Sequence, residues 1–186
     1  MAARGVRIAG GTARGLPLAE PRGVRLRPTS GLVREAIFNI LGARTEDARV
    51  LDLYAGTGAL GIEALSRGAR HATFVEAESA CVSAISQSLS RAGFSEIGTV
   101  LRGRLPSALK TITGQFDLIF LDPPYNEPDV DTVLIGLAAL LAPDGVVVYE
   151  HGSRYNPPER PAGLRLSERR VYGDSAVAFF VAQEGE

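Results

Sequence analysis

The chain has 186 residues, 45% of them hydrophobic, and a formal net charge of −1, which suffices for one domain with its own core and a small extension. Cys81 is the only cysteine and the two histidines lie far apart in the chain, so an internal disulfide is excluded and a reducing, cytoplasmic setting without a metal site is predicted. The longest strongly apolar run, 134–142, is too short to span a bilayer and the first residues lack the apolar core of a signal peptide, so no membrane association is expected.

Positive charge is concentrated at the N-terminal end. Residues 1–34 carry seven arginines against a single acid, Glu20, which gives this segment a charge of +6 and leaves −7 for the remainder. A basic arm on an acidic body is typical of proteins that bind a polyanion. We therefore divide the chain into a basic N-terminal extension, residues 1–44, and a main domain, residues 45–186.

The extension begins with a predicted hairpin. Over residues 6–18 short apolar pieces alternate with glycine and arginine, which indicates two short strands that turn near Gly10–Gly11. Exposed arginines and an open glycine backbone at this turn would suit phosphate groups.

A helix is predicted over residues 32–41, with Ser30 as its N-cap and an apolar stripe on one side. Arg34 and Asn39 on this helix are candidate ligand contacts, although solvated polar positions explain them equally well.

The main domain opens with a strand, a glycine-rich loop and a helix. The sequence VLDLYAGTGALG predicts a buried strand over 50–54, a loop containing Gly56 and Gly58, and a helix over 59–66. In an open α/β sheet such a loop places a ligand at the carboxyl end of the first strand. The sequence of this loop also matches the dinucleotide-binding fingerprint, so a nicotinamide cofactor is an alternative ligand at this point.

Two carboxylates near the loop help to choose between ligands. Asp52 lies four residues before Gly56 and should face the mouth of the loop, where it is a poor neighbour for a pyrophosphate. It is a good neighbour for the ammonium and sulfonium groups of S-adenosylmethionine. The next predicted strand, 72–75, ends in Glu76, which is placed to accept both ribose hydroxyls of either cofactor.

The alternation of strands and helices continues to the end of the chain. A parallel βα series finished by an antiparallel hairpin is the predicted architecture. The remaining predicted elements are a helix over 78–91, a strand over 99–102, a short helix over 106–110, a strand over 118–121, a helix over 130–141, a strand over 146–150, a loop over 153–163 and two strands over 164–172 and 176–182. Both histidines, His71 and His151, are expected to be ordinary surface or strand-end residues.

The strand over 118–121 ends in Asp122, Pro123, Pro124 and Tyr125. Neither proline has an N–H, so the loop offers hydrogen-bond acceptors and no donors beside an aromatic ring. A carboxylate and a carbonyl can hold both protons of a nucleobase amino group, while the tyrosine stacks on the base. If no second ligand-binding site lay within reach of this loop, a turn that simply ends the strand would explain the same residues.

With these motifs in this order, the chain resembles the class I S-adenosylmethionine-dependent methyltransferases and, more closely, the RsmD family, which methylates a guanine N2 in bacterial 16S rRNA. The resemblance covers nearly the whole chain. It rests on RIAGGTARG, RPT at 27–29, VREAIFNIL from Val33, LDLYAGTGALGIEALSRGA from Leu51, LDPPY from Leu121 and VYGDSAV near the end. It implies a Rossmann-like α/β fold, with a seven-stranded, mostly parallel sheet behind a small N-terminal β-hairpin and helix.

The resemblance also implies a reaction and its partners: transfer of a methyl group from S-adenosylmethionine, without a metal, to guanine 966 in the usual numbering of 16S rRNA. The partner would be 16S rRNA within a small ribosomal subunit or its assembly intermediate, and the protein is expected to be a monomer.

Site residues follow from the resemblance by matching motifs. The cofactor would lie against Asp52, Tyr54, Ala55, Gly56, Thr57, Gly58, Glu76 and Arg104. The target amine would meet Asp122, Pro123, Pro124 and Tyr125. RNA phosphates would be held by Arg7, Arg14, Arg27 and Arg34.

The chain departs from the family pattern at two places. Ser30-Gly31-Leu32 replaces an acid followed by a base, and Gly103-Arg104-Leu105 replaces an Asn or Asp that faces the adenine, so the contact at Arg104 would be made by backbone. The role of Glu150, at the end of a strand beside the cleft, stays open.

Rival interpretations are methylation of adenine N6 in nucleic acid or of a protein glutamine amide, an NAD-dependent oxidoreductase, and a non-catalytic RNA-binding protein on a methyltransferase fold. The oxidoreductase would need a second nucleotide-binding half, which the sequence does not indicate. An Asp122→Ala variant separates the catalytic interpretation from the non-catalytic one.

Overall fold

The computed structural model of the protein describes residues 5–24, 30–124 and 127–183. These residues form one seven-stranded sheet with helices on both faces. The strands are β1 (Arg49–Leu53), β2 (His71–Glu76), β3 (Gly98–Arg102), β4 (Phe116–Leu121), β5 (Leu141–Gly152), β6 (Leu164–Tyr172) and β7 (Ser175–Ala182). The helices are α1 (Gly31–Leu41), α2 (Ala59–Ser66), α3 (Ser79–Ala92) and α4 (Val130–Gly136), with short 3-10 helices at Gly42–Thr45 and Ser107–Thr111.

The sheet has the strand order β3-β2-β1-β4-β5-β7-β6. Strands β1 to β5 are parallel, whereas β7 is antiparallel to both β5 and β6. This arrangement confirms the predicted fold class, including the terminal hairpin. The strand order reverses between β1 and β4, so the carboxyl ends of these two strands border the crevice in which open α/β sheets bind ligands.

Two hydrophobic clusters cover the two faces of the sheet. One packs α1, α2 and α3 against side chains such as Phe74 and Phe120, and it includes Ile8 and Leu18 from the N-terminal segment. The other packs α4 and the chain around Leu105 on the opposite face. The N-terminal segment therefore shares a core with the sheet, while the boundary drawn at residue 44 stays a prediction.

The predicted small N-terminal hairpin is present: the Ile8 N–H donates to the Leu16 carbonyl at 3.0 Å, and the Leu18 N–H donates to the Val6 carbonyl at 2.9 Å. One antiparallel bridge joins Arg7 to Pro17, and the turn spans residues 10–15 instead of centring on Gly10–Gly11. Gly11 has φ +76°, and a Cβ there would lie 1.8 Å from the Ser66 carbonyl oxygen. Gly11 itself is exposed. The N–H groups of Ala9, Gly10, Thr12 and Ala13 around it, however, donate to Glu63 and Ser66 of α2, so most of this backbone is already used and is not open to phosphate.

The chain between α4 and β5 also differs from the prediction. The helix expected over 130–141 ends at Gly136, and β5 begins at Leu141, opposite Phe116. The register then shifts, so that Leu118 pairs with Val146 and the residues between form a bulge. Pro143 cannot continue a helix, and the apolar spacing before it suits core packing in either conformation. No helix of the described residues is long and apolar enough to cross a membrane.

Candidate active site

A cavity of about 980 Å³ opens at the carboxyl ends of the parallel strands. It lies at the crevice between β1 and β4 and extends from β2 to β5. Its wall includes Ser30, Asp52, Tyr54, Ala55, Gly56, Thr57, Glu76, Arg104, Asp122, Pro123, Pro124, Tyr149, Glu150, His151, Arg154 and Tyr155. The structure therefore gathers most of the predicted cofactor and substrate residues around one space.

The loop after β1 has an unusual backbone. Tyr54 has φ +56°, Gly56 φ +55° and Gly58 φ +75°. A left-handed conformation is easy for glycine but costly for tyrosine, and such strain concentrates at functional sites. Gly58 does not line the cavity. It precedes the first turn of α2, whose N–H groups point towards the loop.

Gly61 fixes the distance between α2 and β2. A Cβ on Gly61 would lie 2.3 Å from Cε1 of Phe74 and 3.0 Å from Oδ2 of Asp52. Because only glycine allows this approach, the third glycine of the motif serves helix-to-sheet packing, as in nucleotide-binding folds generally.

Asp52 lies beneath the loop and only 2% of it is exposed. Its Oδ2 accepts the Gly61 N–H at 2.9 Å. Burial raises the pKa of this carboxyl well above its usual range, the hydrogen bond from Gly61 opposes that shift, and the charges of Asp122 and Glu76 reinforce it. A cationic ligand would relieve this excess of negative charge, as the ammonium and sulfonium groups of S-adenosylmethionine would.

Glu76 connects the end of β2 to the loop after β1. Its Oε2 accepts the Gly56 N–H at 2.8 Å, and its Oε1 accepts the Glu78 N–H at 2.9 Å. A carboxylate can accept about four hydrogen bonds. Glu76 therefore retains the capacity to accept two hydroxyls while it holds the loop.

Asp122 and its prolines form the opposite part of the wall. Leu121 pairs with Tyr149 in the parallel register of β4 and β5, so Asp122 follows at the level of Glu150. Both residues line the cavity. Tyr125 lies outside the described residues, and its stacking role stays a prediction.

Another part of the cavity wall is an aromatic cluster, formed by Tyr149, His151 and Tyr155. The three ring centroids are 5.0 to 6.4 Å apart. His151 lies at the end of β5, as expected, but it is buried and not at the surface. Burial lowers the pKa of its imidazole. The alternation in β5 could have placed Tyr149 and His151 on one face, but Tyr155 comes from a loop and gave no signal.

The predicted RNA-binding arginines differ in position. Arg7 and Arg14 are exposed, and Arg7 Nη1 donates to the Gly15 carbonyl at 2.9 Å. Arg27 lies outside the described residues. Arg104, which is predicted to contact the cofactor and not RNA, is exposed and lines the cavity.

Arg34 is not placed for a phosphate, which corrects its predicted role. Only 4% of it is exposed, its Nη2 donates to the Arg7 carbonyl at 2.6 Å, and its Nε lies 3.4 Å from Glu63. Burial lowers the pKa of Arg34, although the charge of Glu63 opposes the shift. Arg34 thus holds the N-terminal segment to the domain.

Glu63 is the centre of this attachment, which the sequence did not reveal. Its fully buried carboxylate accepts the N–H groups of Ala9 and Gly10, each at 2.8 Å, and that of Arg67 Nε at 2.8 Å. With Arg34 Nε at 3.4 Å as the fourth, four partners compensate one buried charge, as burial of a carboxylate requires.

Ser30, at which the chain departs from the family pattern, still lies at the site. Its Oγ accepts the Val33 N–H at 3.1 Å, which confirms the predicted N-cap, and the residue lines the cavity.

The described part of the chain contains no group of three or more His, Cys, Asp or Glu residues that could hold a metal ion.

Comparison with known proteins gives a consistent set of relatives. The family model described as conserved hypothetical protein 95 matches residues 6–181. Ribosomal RNA small subunit methyltransferase D of Escherichia coli K12 is 33% identical over 179 residues, covering 94% of this chain and 89% of its own. YlbH of Bacillus subtilis 168, named provisionally as an rRNA methyltransferase, is 36% identical over 94% of this chain and 98% of its own.

A solved structure agrees with the described fold. The structure of yhhF from Escherichia coli, described provisionally as a methyltransferase, superposes with a TM-score of 0.84 at 33% identity, covering 96% of this chain and 99% of that one. The fold is that of the class I S-adenosylmethionine-dependent methyltransferases.

Proposed function

Because the chain belongs to the family described as conserved hypothetical protein 95, the family of ribosomal RNA small subunit methyltransferase D, we propose that it transfers a methyl group from S-adenosylmethionine to the exocyclic N2 of one guanine in 16S rRNA. By resemblance to the family this is guanine 966. The substrate is the RNA of a small ribosomal subunit or its assembly intermediate, and the protein acts as a monomer.

One observation carries the chemical part of the proposal. Asp122 and the two prolines after it line the same cavity as Asp52 and Glu76. The strained loop, the excess negative charge around Asp52 and the remaining acceptor capacity of Glu76 fit S-adenosylmethionine. Glu76 would hold its ribose, and Asp52 would face its positive charge.

The cofactor supplies an electrophilic methyl group, whose bond to sulfur breaks as the bond to nitrogen forms, with the bonding pair leaving on sulfur. Asp122 and the Pro123 carbonyl accept the two N–H groups of the amine, which turns its lone pair towards the methyl carbon. Asp122 also stabilises the positive charge that develops on nitrogen, and it takes the proton released and passes it to water. Tyr125 stacks on the base.

The target guanine must leave its stack to reach Asp122. A base stacked inside a helix cannot bring its amino group to the methyl group in the cavity, so the enzyme acts on an exposed or flipped-out nucleotide. The exposed arginines Arg7 and Arg14, together with Arg27, hold neighbouring phosphates.

The test is methyl transfer from labelled S-adenosylmethionine to small-subunit RNA by Asp122→Asn and Asp122→Ala variants. The isosteric Asn should lower the rate constant by about 100-fold or more, because one preorganised charge is lost. Affinity for S-adenosylhomocysteine should be nearly unchanged. Asp144→Asn, at an exposed aspartate outside the cavity, is the matched control. Equal activity of the Asp122 variants and the unaltered protein would rule out the proposed catalytic role.

A further inference from the structure

Tyr155 is a partly exposed aromatic residue at the edge of the cavity. It comes from the loop between β5 and β6, 38% of it is exposed, and it lines the same cavity as Asp122. Neither the methyl-transfer chemistry nor the family motifs use it. An aromatic ring left exposed beside a substrate cavity offers an apolar face to a planar ligand.

The ring is held in place on several sides. Its hydroxyl donates to Asp131 Oδ1 of α4 at 2.8 Å, and its centroid lies 5.7 Å from that of His151 in an edge-to-face contact. The backbone is fixed too: the Tyr155 N–H donates to the Gly152 carbonyl at 3.0 Å, and its own carbonyl accepts from Arg169 Nη2 at 3.2 Å.

The fixed orientation of the Tyr155 ring favours a role in ligand binding over a role in core packing alone. A ring that is already fixed loses little conformational entropy when a ligand stacks on it. Tyr149 and His151, the other members of the aromatic cluster, are buried behind it. Tyr155 alone of the three presents substantial surface to a ligand.

The chemistry around Tyr155 selects a nucleotide as that ligand. Arg154, the preceding residue, is exposed and lines the same cavity, so its positive charge is available to a nucleotide phosphate there. A nucleotide that is flipped towards Asp122 leaves its neighbour without a stacking partner. An aromatic side chain can replace that partner for any base, since each base has a π face.

We propose that Tyr155 stacks against the base next to the target nucleotide and so keeps the RNA strand open at the cavity mouth. This inference rests on the proposed function in taking RNA as the substrate and a nucleotide flipped towards Asp122 as the target. It assigns a substrate contact that is separate from the transfer of the methyl group.

A fluorescence experiment tests the contact directly. The chain contains no tryptophan, so Tyr155→Trp introduces the sole indole. A single-stranded oligoribonucleotide with the sequence around the target guanine should quench its emission saturably. Ile135→Trp, at an exposed position on α4 that does not line the cavity, is the control and should not respond. Absence of quenching in Tyr155→Trp, with the oligonucleotide shown to bind by another method, would overturn the proposal.

Kinetics then separate stacking from a structural role. Tyr155→Ala should raise the KM for RNA about tenfold, whereas Tyr155→Phe, which keeps the ring and loses the Asp131 hydrogen bond, should stay within about twofold. The kcat and the affinity for S-adenosylhomocysteine should change in neither variant. A KM that rises equally in both, with a lowered Tm, would show that the hydroxyl acts structurally and would overturn the proposal. Quenching by the oligonucleotide, without methyl transfer to small-subunit particles, would support the RNA contact while refuting the proposed function.

Discussion

Glu76 accepts the backbone N–H of Gly56 across 2.8 Å and thereby ties the end of β2 to the loop after β1. The same carboxylate is the predicted ribose acceptor. One side chain therefore shapes the loop after β1 and retains the hydrogen-bond capacity that the proposed ribose contact would use.

Glu76→Ala should weaken binding of S-adenosylhomocysteine by about tenfold or more, because hydrogen bonds to a charged group are lost and two backbone N–H groups lose their acceptor. Glu76→Gln, which keeps one carbonyl oxygen, should lose less affinity for S-adenosylhomocysteine. Isothermal titration calorimetry measures both, with Glu46→Gln at an exposed glutamate as the control. Unchanged affinity in Glu76→Ala would remove Glu76 from the cofactor site.

Asp52 should make stability depend on pH. Its pKa is raised in the folded protein, so the folded state binds this proton more tightly than the unfolded state does. The free energy of unfolding should therefore fall as pH rises from about 4, the ordinary aspartate pKa, through the raised pKa, and then stay level with respect to this group. Asp52→Asn cannot titrate and should remove this contribution.

Urea unfolding of the unaltered protein and of Asp52→Asn across that pH range measures whether the free energy of unfolding changes with pH in the predicted direction. The stability of the variant relative to the unaltered protein should increase with pH. Asp144→Asn, at an exposed position, should show no such trend. A difference that is constant in pH would contradict the raised pKa.

Gly61→Ala should lower the free energy of unfolding by about 1 to 3 kcal/mol, because the added Cβ forces α2 and Phe74 apart. Gly31→Ala is the matched control: no atom lies within 4 Å of its Cβ position, and its φ is not in the left-handed region. That variant should be neutral or slightly stabilising. Denaturant unfolding compares the two, and equal effects would mean that close packing is not what Gly61 provides.

Removal of Glu63 should release the N-terminal segment. Glu63→Ala leaves the buried Arg34 uncompensated and should cost about 3 to 5 kcal/mol. Hydrogen exchange should show lost protection at the amides of Ala9 and Gly10. A second change, Arg34→Met, should recover part of the loss, while Glu46→Ala at an exposed site should have little effect. Full protection of both amides in Glu63→Ala would contradict the attachment described.

The sequence predicted the features that depend on local signals. The strand, glycine loop and helix around Gly56 and the turn at Asp122 each follow from residues close together in the chain, so the order of elements and the sheet class could be inferred. The bulge before Val146 could not be inferred. The apolar residues of that segment can be buried as part of either a helix or a strand, so their spacing does not distinguish the two.

Site features that depend on distant partners were missed. Arg34 lies three, four and seven residues before Ile37, Phe38 and Leu41, on the buried face of α1, but its charge favoured a surface position. Its burial depends on Glu63 of another helix, which neutralises it. His151 and Tyr155 meet through the fold of a loop that has no periodicity. The sequence could thus indicate the chemistry of the cavity, but not which cations are structural or which rings border the substrate.

The most direct measurement is nucleoside analysis of small-subunit particles from cells that lack this protein, after incubation with the purified protein and methyl-labelled S-adenosylmethionine. We predict N2-methylguanosine at a single position of 16S rRNA, and no label with Asp122→Ala. Label in adenosine or in protein, or no label from a protein that binds S-adenosylmethionine, would contradict the proposed reaction.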